Sequence, residues 1–306
     1  MDLSVVVPTL NARERIESTL DALFDSAPDA EVVVVNGPSA DGTSGMVREH
    51  RAADRLLELS ERNLNAARNA GIAAASGDVV AFVGQDTKIE PTWIGAIESA
   101  IDDGADAVTG PVHRRVNGGV TTQSLETEDI AGRSVRYFDG GNVAITRATL
   151  EALDGFDEYL HTGGARDAAH RLAALNRHVV WEADAVALRE AEDDIFHRVG
   201  DDDRSTVEGL KYRSLAYRLV KNYGLGVGVV YRLFRHLVGE GARETWDVVR
   251  GNRKLSTWVG TGRSVVTNSV IGVQDGTVAR MTDRTPRRNP NGVSATMNRP
   301  VATYEL

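Results

Sequence analysis

Along the first half of the chain, short β-branched runs alternate with stretches whose apolar residues recur at helical spacing. Leu3–Val7, Glu31–Val35, Arg55–Leu59 and Val79–Val83 read as strands. Between them, Arg13–Phe24 carries Ile16, Leu20, Leu23 and Phe24 on one helical face, and helices are also predicted over Thr43–Ala53 and Asn65–Ala75. Asp41 is placed to cap the second of these, and Pro91 opens a fourth, Thr92–Ile101, where a missing N–H costs nothing. Strands that are apolar on both faces and alternate with helices predict a mostly parallel α/β sheet with helices on both faces.

Beyond Asp106–Thr109 the periodicity loosens. Residues 111–141 are polar and glycine-rich and read as a loop or lid. Asn142–Thr146 predicts a strand and Ala148–Leu153 a helix ended by Gly155; GARDAAHRLAALN reads as a further helix and His178–Glu182 as a strand. From about residue 205 the chain turns basic and helical, and the stretch from about 283 is too poor in apolar residues to fold alone. The expected organisation is an α/β domain over 1–203, a basic helical membrane-proximal region over 204–282 and a flexible tail over 283–306.

Composition sharpens that division. The net charge of −9 combines 18 Lys+Arg and 37 Asp+Glu in residues 1–203 with 17 Lys+Arg and 7 Asp+Glu in residues 204–306. Such asymmetry predicts different partners for the two parts. There is no cysteine, so disulfides, thiolate metal sites and cysteine nucleophiles are excluded. The opening MDLSVVVPTLN reads as a buried strand rather than a signal peptide, and no apolar run approaches the roughly 20 residues of a membrane span.

Four blocks carry the chemistry: SVVVPTLNARERIESTLDAL, EVVVVNGPSADGT, ARNAGIAAASGDVVAFVGQDT and FDGGNVAITRATLEALDGFDE. In this order they resemble the successive motifs of family 2 glycosyltransferases of the GT-A fold, over roughly residues 3–190. The resemblance implies transfer of a sugar from a nucleotide donor with inversion. Pro8, Thr9, Asn11 and Asn36 would line the nucleotide pocket, with Asn36 standing where the family usually has aspartate. Arg68 would face the diphosphate. Gly84-Gln85-Asp86 stands where the family shows Asp-x-Asp, so that Gln85 and Asp86 would contact the nucleotide sugar and Asp86 would take part in catalysis and hold Mg²⁺ or Mn²⁺. Asn63 and Asn65 replace the usual glycines ahead of the Arg68 helix; asparagine tolerates a left-handed backbone there.

An acceptor hydroxyl must lose a proton as it attacks, which calls for a carboxylate or histidine. The family's Glu-Asp pair falls on Gly164 and Ala165 here, leaving Asp167 as the expected catalytic base, with His170 and Asp139 as alternatives. His197 is a candidate second metal ligand. Lys211, Arg213, Arg218, Lys221, Arg232 and Arg235, interleaved with Tyr212, Tyr217, Tyr223 and Tyr231, predict basic amphipathic helices lying on an anionic membrane surface. An acidic catalytic half without a recognition motif argues against nucleic acid. The expected partners are a nucleotide-sugar donor and a lipid-linked glycan on a dolichyl or polyprenyl phosphate, met peripherally on the cytoplasmic face of the cell membrane. The texture is similar to haloarchaeal enzymes of N-linked protein glycosylation. A catalytically degenerate scaffold and a nucleotidyltransferase are the alternatives.

Overall fold

The strands β1 (Leu3–Thr9), β2 (Glu31–Asn36), β3 (Arg55–Glu58) and β4 (Val79–Val83) run parallel, as the apolar runs predict, and lie in the order β4-β1-β2-β3. The computed structural model describes residues 1–116, 119–189, 204–236, 255–295 and 300–306. Helices α1 (Arg13–Ser26), α2 (Thr43–Glu49), α3 (Leu64–Ala74) and α4 (Trp93–Asp102) alternate with the strands. On one face of the sheet Val5, Val7, Val32 and Val34 pack with Ile16, Leu20, Leu23, Val47, Trp93 and Ile97. On the other, Val6, Val33 and Val35 pack with Ala67 and Ala70 of α3, and with α5 (Arg147–Leu153) and α6 (Gly164–Ala174) through Leu150, Leu153 and Leu172. Alternate residues of each strand thus feed opposite cores, which is why the runs are continuously apolar.

The sheet continues past β4 through β11 (Asn142–Thr146), β6 (Ala107–Thr109) and β12 (Val179–Trp181), with β11 antiparallel to both its neighbours. The helix expected over Thr43–Ala53 is shorter and stops at Glu49, His50 taking an extended conformation. Asp41 does serve this end: Oδ1 accepts from the Thr43 N–H and hydroxyl, while Oδ2 accepts from the Arg13 N–H of α1.

Residues 111–141 are not a loop. They contain β7 (Val112–Val116) and β8 (Gly119–Gln123), an antiparallel pair, and β9 (Glu126–Ile130) and β10 (Arg133–Tyr137), a second pair. The β9–β10 turn places Ala131 and Gly132 at φ 50° and 78°, matching a tight hairpin. Their polar residues hid the alternation: in β9 only Ile130 is buried. β7 also pairs in parallel with β13 (Ala187–Arg189), which itself pairs with β5 (Thr87–Ile89).

The C-terminal part folds onto the α/β domain rather than standing apart from it. α7 (Arg204–Tyr223) is followed by α8 (227–236) and α9 (Leu255–Thr282). Lys221, expected on a basic surface, is fully buried, 2.6 Å from Asp157 and 2.8 Å from Asp167. The expected flexible tail is also held. Asn289 Nδ2 donates to the carbonyls of Leu153, Asp154 and Gly155, and β14 (Ala302–Glu305) extends the main sheet antiparallel to β3. A stretch too polar to build its own core here borrows backbone partners from the domain. Among the described residues no helix is long and apolar enough to cross a membrane.

Candidate functional site

The carboxyl ends of β1 and β4 open onto a cleft of about 1320 Å³, whose far wall is built by β7–β10, α6, α7 and α8. This is more than one small-molecule site usually occupies, and is room for two substrates. Ligands of open α/β sheets are expected at this edge. Four of the residues predicted to meet the nucleotide sugar line it: Pro8 at the end of β1, Arg68 on α3, and Gln85 and Asp86 in the turn after β4.

Their contacts are specific. Gln85 Oε1 accepts from the Leu10 N–H at 2.7 Å, tying the two strand ends together. Asp86 Oδ1 lies 3.3 Å from the Thr87 hydroxyl and 3.5 Å from Arg189 Nε, while its Oδ2 has no hydrogen bond to another described residue. A Cβ at Gly84 would stand 2.7 Å from Thr87 Oγ1 and 3.2 Å from Asp86 Oδ1, so the position that carries the family's first acid has no room for one here.

Arg68 is buried. Its Nη1 donates to Asn65 Oδ1 at 3.1 Å, its Nη2 donates to the Gly140 carbonyl at 2.8 Å, and its guanidinium sits over the Phe156 ring. At Gly140 any Cβ would run into the Arg68 guanidinium and meet Ala165 at 3.0 Å. Asn63 does not use a left-handed backbone: at φ −133° it is the N-cap of α3, its side chain accepting from the Asn65 and Ala66 N–H groups.

Three predicted nucleotide contacts, Thr9, Asn11 and Asn36, are not among the residues that line this cleft. Thr9 and Asn36 are buried, Thr9 donating to the Val7 carbonyl. Asn36 donates to Ser44 Oγ and accepts from Ser39 Oγ. Asn11, at φ 47°, receives the Ala40 N–H on Oδ1 and donates its own N–H to Ser39. Together they fix the loops that follow β1 and β2.

Sequence reasoning did not single out Arg189. The pairing of β13 between β5 and β7 sets Arg189 opposite both Thr87 and Arg114. From there it grips Asp139 with two N–H···O bonds of 3.1 and 2.8 Å and approaches Asp86. Burial acts to raise the Asp139 pKa, but Arg189, the Gly141 N–H and Arg114 outweigh it and hold the carboxyl below the usual range. The residue is 50 positions from Asp139, so no local pattern pointed to it.

The expected base is not where a base must be. Asp167 is fully buried and does not line the cleft. Arg171 Nε and Lys221 Nζ both reach its Oδ2 at 2.8 Å, and Asn222 donates to Oδ1. Burial alone would raise its pKa; Lys221 and Arg171 reverse the sign and lower it to about 2. Asp167 is a structural anion at the junction of α6 and α7, and cannot reach an acceptor proton. His170 does border the cleft. Its Nδ1 pairs with the Tyr223 hydroxyl at 2.9 Å, and its Nε2 has no partner among the described residues. Burial, then Arg218, push its pKa down to about 3, so it is neutral at physiological pH. His197 lies outside the described residues.

Among the described residues lining the cleft, Asp86 has the donor chemistry that suits a hard divalent cation. Asp86 offers a carboxylate oxygen uncommitted among the described residues, and such an ion keeps waters and phosphate oxygens as its other ligands. Among the described residues there is no group of three or more His, Asp or Glu that could hold a metal.

With this geometry in place, comparison decides the family. The sequence model of glycosyl transferase family 2 matches residues 4–155, the stretch that builds β1–β4, β11 and the strand-end turns. The chain belongs to glycosyl transferase family 2. This family 2 chain is 30% identical over 178 residues to glycosyltransferase AglE of Haloferax volcanii, covering 53% of this chain and 58% of that one. The chain spans less than two thirds of the length of the relatives it matches. TarS 1–349 of S. aureus, solved with UDP-GlcNAc, shares the GT-A fold with a TM-score of 0.63 at 17% identity, over 93% of this chain and 92% of that one. The mannosyltransferase PcManGT of Pyrobaculum calidifontis, solved with GDP-Man and Mn²⁺, superposes with a TM-score of 0.57 at 18% identity, over 92% and 88%.

Proposed function

We propose that this family 2 chain is an inverting glycosyltransferase that moves one sugar from a nucleotide-sugar donor to an acceptor carried on a polyprenyl or dolichyl phosphate, in surface-glycan or N-glycan assembly. The observation that carries the reading is the convergence of Asp86, Gln85, Arg68 and Pro8 on one cleft at the strand ends. There Asp86 would hold Mg²⁺ or Mn²⁺, which when bound stabilises the charge on the departing diphosphate. Arg68 keeps the wall between Asn65 and Gly140 in register beside it, presenting a cation to the diphosphate.

Peripheral contact with an anionic membrane is supported by α8, not by the lysine and arginine positions first expected. Among those, Lys221 is internal, Arg213 pairs with Asp275, Arg232 with Glu128 and Lys211 with Glu208. Val227, Val230, Tyr231 and Phe234 are all more than half exposed and recur at helical spacing, forming an apolar stripe on α8. The cytoplasmic membrane face is part of the same proposal.

The test is sugar release and transfer from a panel of nucleotide sugars by the purified protein, with and without Mn²⁺, for the wild type and Asp86→Ala. Metal-stimulated turnover that Asp86→Ala lowers by about 10²-fold or more is the expected result. No turnover with any donor, unchanged by the substitution, sinks the enzyme reading and leaves a scaffold.

A further inference from the structure

Residues 283–294, DRTPRRNPNGVS, carry one aliphatic side chain, Val293, and yet they lie strapped to the α/β domain. The strap is stiff in itself. Pro286 and Pro290 each fix a backbone angle, and Asp283 folds the first turn back, Oδ1 accepting from the Thr285 N–H and hydroxyl and Oδ2 from the Asn289 N–H. From there its bonds converge on residues 153–158, the loop after α5. Asn289, which is buried, donates to the carbonyls of Leu153, Asp154 and Gly155. The Asn291 carbonyl accepts from the Glu158 N–H at 3.1 Å, and the Val293 N–H donates to the Asp154 carbonyl at 3.0 Å. The Ser294 N–H and hydroxyl both donate to the Asp154 carboxylate, which Arg287 approaches at 3.5 Å. Asp154 stands at φ 57°, a left-handed conformation that is unfavourable for a non-glycine residue and persists where surrounding bonds hold it.

The same loop carries α3. Asn69 Nδ2 donates to the Phe156 carbonyl and its Oδ1 accepts from the Phe156 N–H, both at 2.8 Å. Asn63 donates to the Glu158 carbonyl, and Asn65 to those of Asp157 and Leu160. Strap and helix meet over Gly155, where a Cβ would stand 2.5 Å from Asn69 Oδ1 and 2.6 Å from Val293 Cγ2. Two routes lead on to Arg68. In one, Asn291 Nδ2 donates to Asp157 Oδ1 at 3.0 Å, the Asp157 carbonyl accepts from Asn65 Nδ2 at 3.1 Å, and Asn65 Oδ1 accepts from Arg68 Nη1 at 3.1 Å. In the other, Asn289 holds the Gly155 carbonyl, and the next residue, Phe156, sets its ring centroid 5.0 Å from the Arg68 guanidinium. Arg68 lines the cleft, whereas none of residues 283–294 does.

We propose that this C-terminal strap is a positioning element of the donor site, and that Asn289, Asn291 and Ser294 set the placement of Arg68 and through it the affinity for the donor's diphosphate. The inference rests on the transferase reading above and adds to it residues that lie outside the stretch 4–155 matched by the family model. The strap acts without touching the donor. A guanidinium already held in its bound geometry loses less freedom when it grips an anion, so a loosened strap weakens binding of the diphosphate.

The experiment is calorimetry on the full chain with Mn²⁺ and, as probes, the nucleoside diphosphates UDP, GDP, ADP, CDP and dTDP, followed by variants with the probe that binds best. Asn289→Ala should weaken binding by about 5- to 20-fold and Ser294→Ala by about two- to fivefold, with Ser294→Thr restoring the hydroxyl and the affinity. Tyr304→Ala is the control: it loosens β14, whose Tyr304 packs on the core at the far edge of the sheet, and should lower the melting temperature while leaving affinity unchanged. In an Arg68→Gln background the strap substitutions should weaken binding no further, because their effect passes through Arg68. Amide exchange over residues 64–69 should quicken in Asn289→Ala and Ser294→Ala and not in Tyr304→Ala, a readout that Ser294→Ala supplies even if Asn289→Ala fails to fold. Affinity untouched by Ser294→Ala, or an equal loss with and without Arg68, overturns the proposal. So does a loss that follows melting temperature in every variant, Tyr304→Ala included, since the strap would then be a brace for the fold alone. Those outcomes leave the transferase reading standing; a wild type that binds no nucleoside diphosphate overturns that reading and this inference with it.

Discussion

Replacing Asp167 with alanine separates a structural anion from a catalytic base. The substitution removes the acceptor of two 2.8 Å charge-assisted bonds, from Arg171 and Lys221, and of one from Asn222. All three ionic groups are fully buried. Lys221 keeps Asp157 at 2.6 Å, and Arg171 keeps the carbonyls of Leu153 and Gly155, so neither cation is stranded without any partner. Breaking one member out of a buried ion pair costs about 3–5 kcal/mol. Each kcal/mol moves the melting temperature of a chain this size by about 2–4 °C, so Asp167→Ala should melt roughly 10 °C below the wild type. The assay is paired: thermal and urea denaturation on one side, and turnover at a temperature where both proteins are folded on the other. Turnover there should stay within a fewfold. A variant that melts within about 2 °C of the wild type but has lost turnover by 10³-fold would show that Asp167 handles the proton after all, and the reading of the buried network would be wrong.

Three other outcomes follow from the same structure. The folded-state pKa of Asp167 is depressed from 3.8 to about 2, so the unfolded chain binds more protons across that interval. Stability from this group, about 2 kcal/mol, is present above pH 4 and drains away as pH falls towards 2; an Asp167→Asn variant should lack that limb in acid denaturation. Gly140→Ala, whose Cβ would displace the Arg68 guanidinium, should weaken donor binding by about tenfold in calorimetry; unaltered affinity would take Arg68 out of the donor site. On α8, Phe234→Ser should lower sedimentation with anionic vesicles by about tenfold or more, because a Phe side chain contributes about 1.5–3 kcal/mol when buried, while shifting stability by less than about 0.5 kcal/mol. Equal sedimentation of the two proteins would remove the membrane from the account of that stripe.

Periodicity alone determined the four parallel strands, the helices on both faces and the delivery of Asp86 to a strand end, because those features depend on which residues are apolar within a few positions of one another. The antiparallel pairs of 112–137 were hidden because their strands bury few residues and alternate polar with polar. What Asp167, Lys221 and Arg189 do was decided by tertiary structure. Lys221 meets Asp167 across 54 residues, and Arg189 meets Asp139 across 50. A charge written in sequence is the same letter whether it lies in water, between two carboxylates or alone in a cleft. Only the packing of α6, α7 and β13 sets its desolvation and its partners, and those determine whether it braces the fold or waits for a substrate.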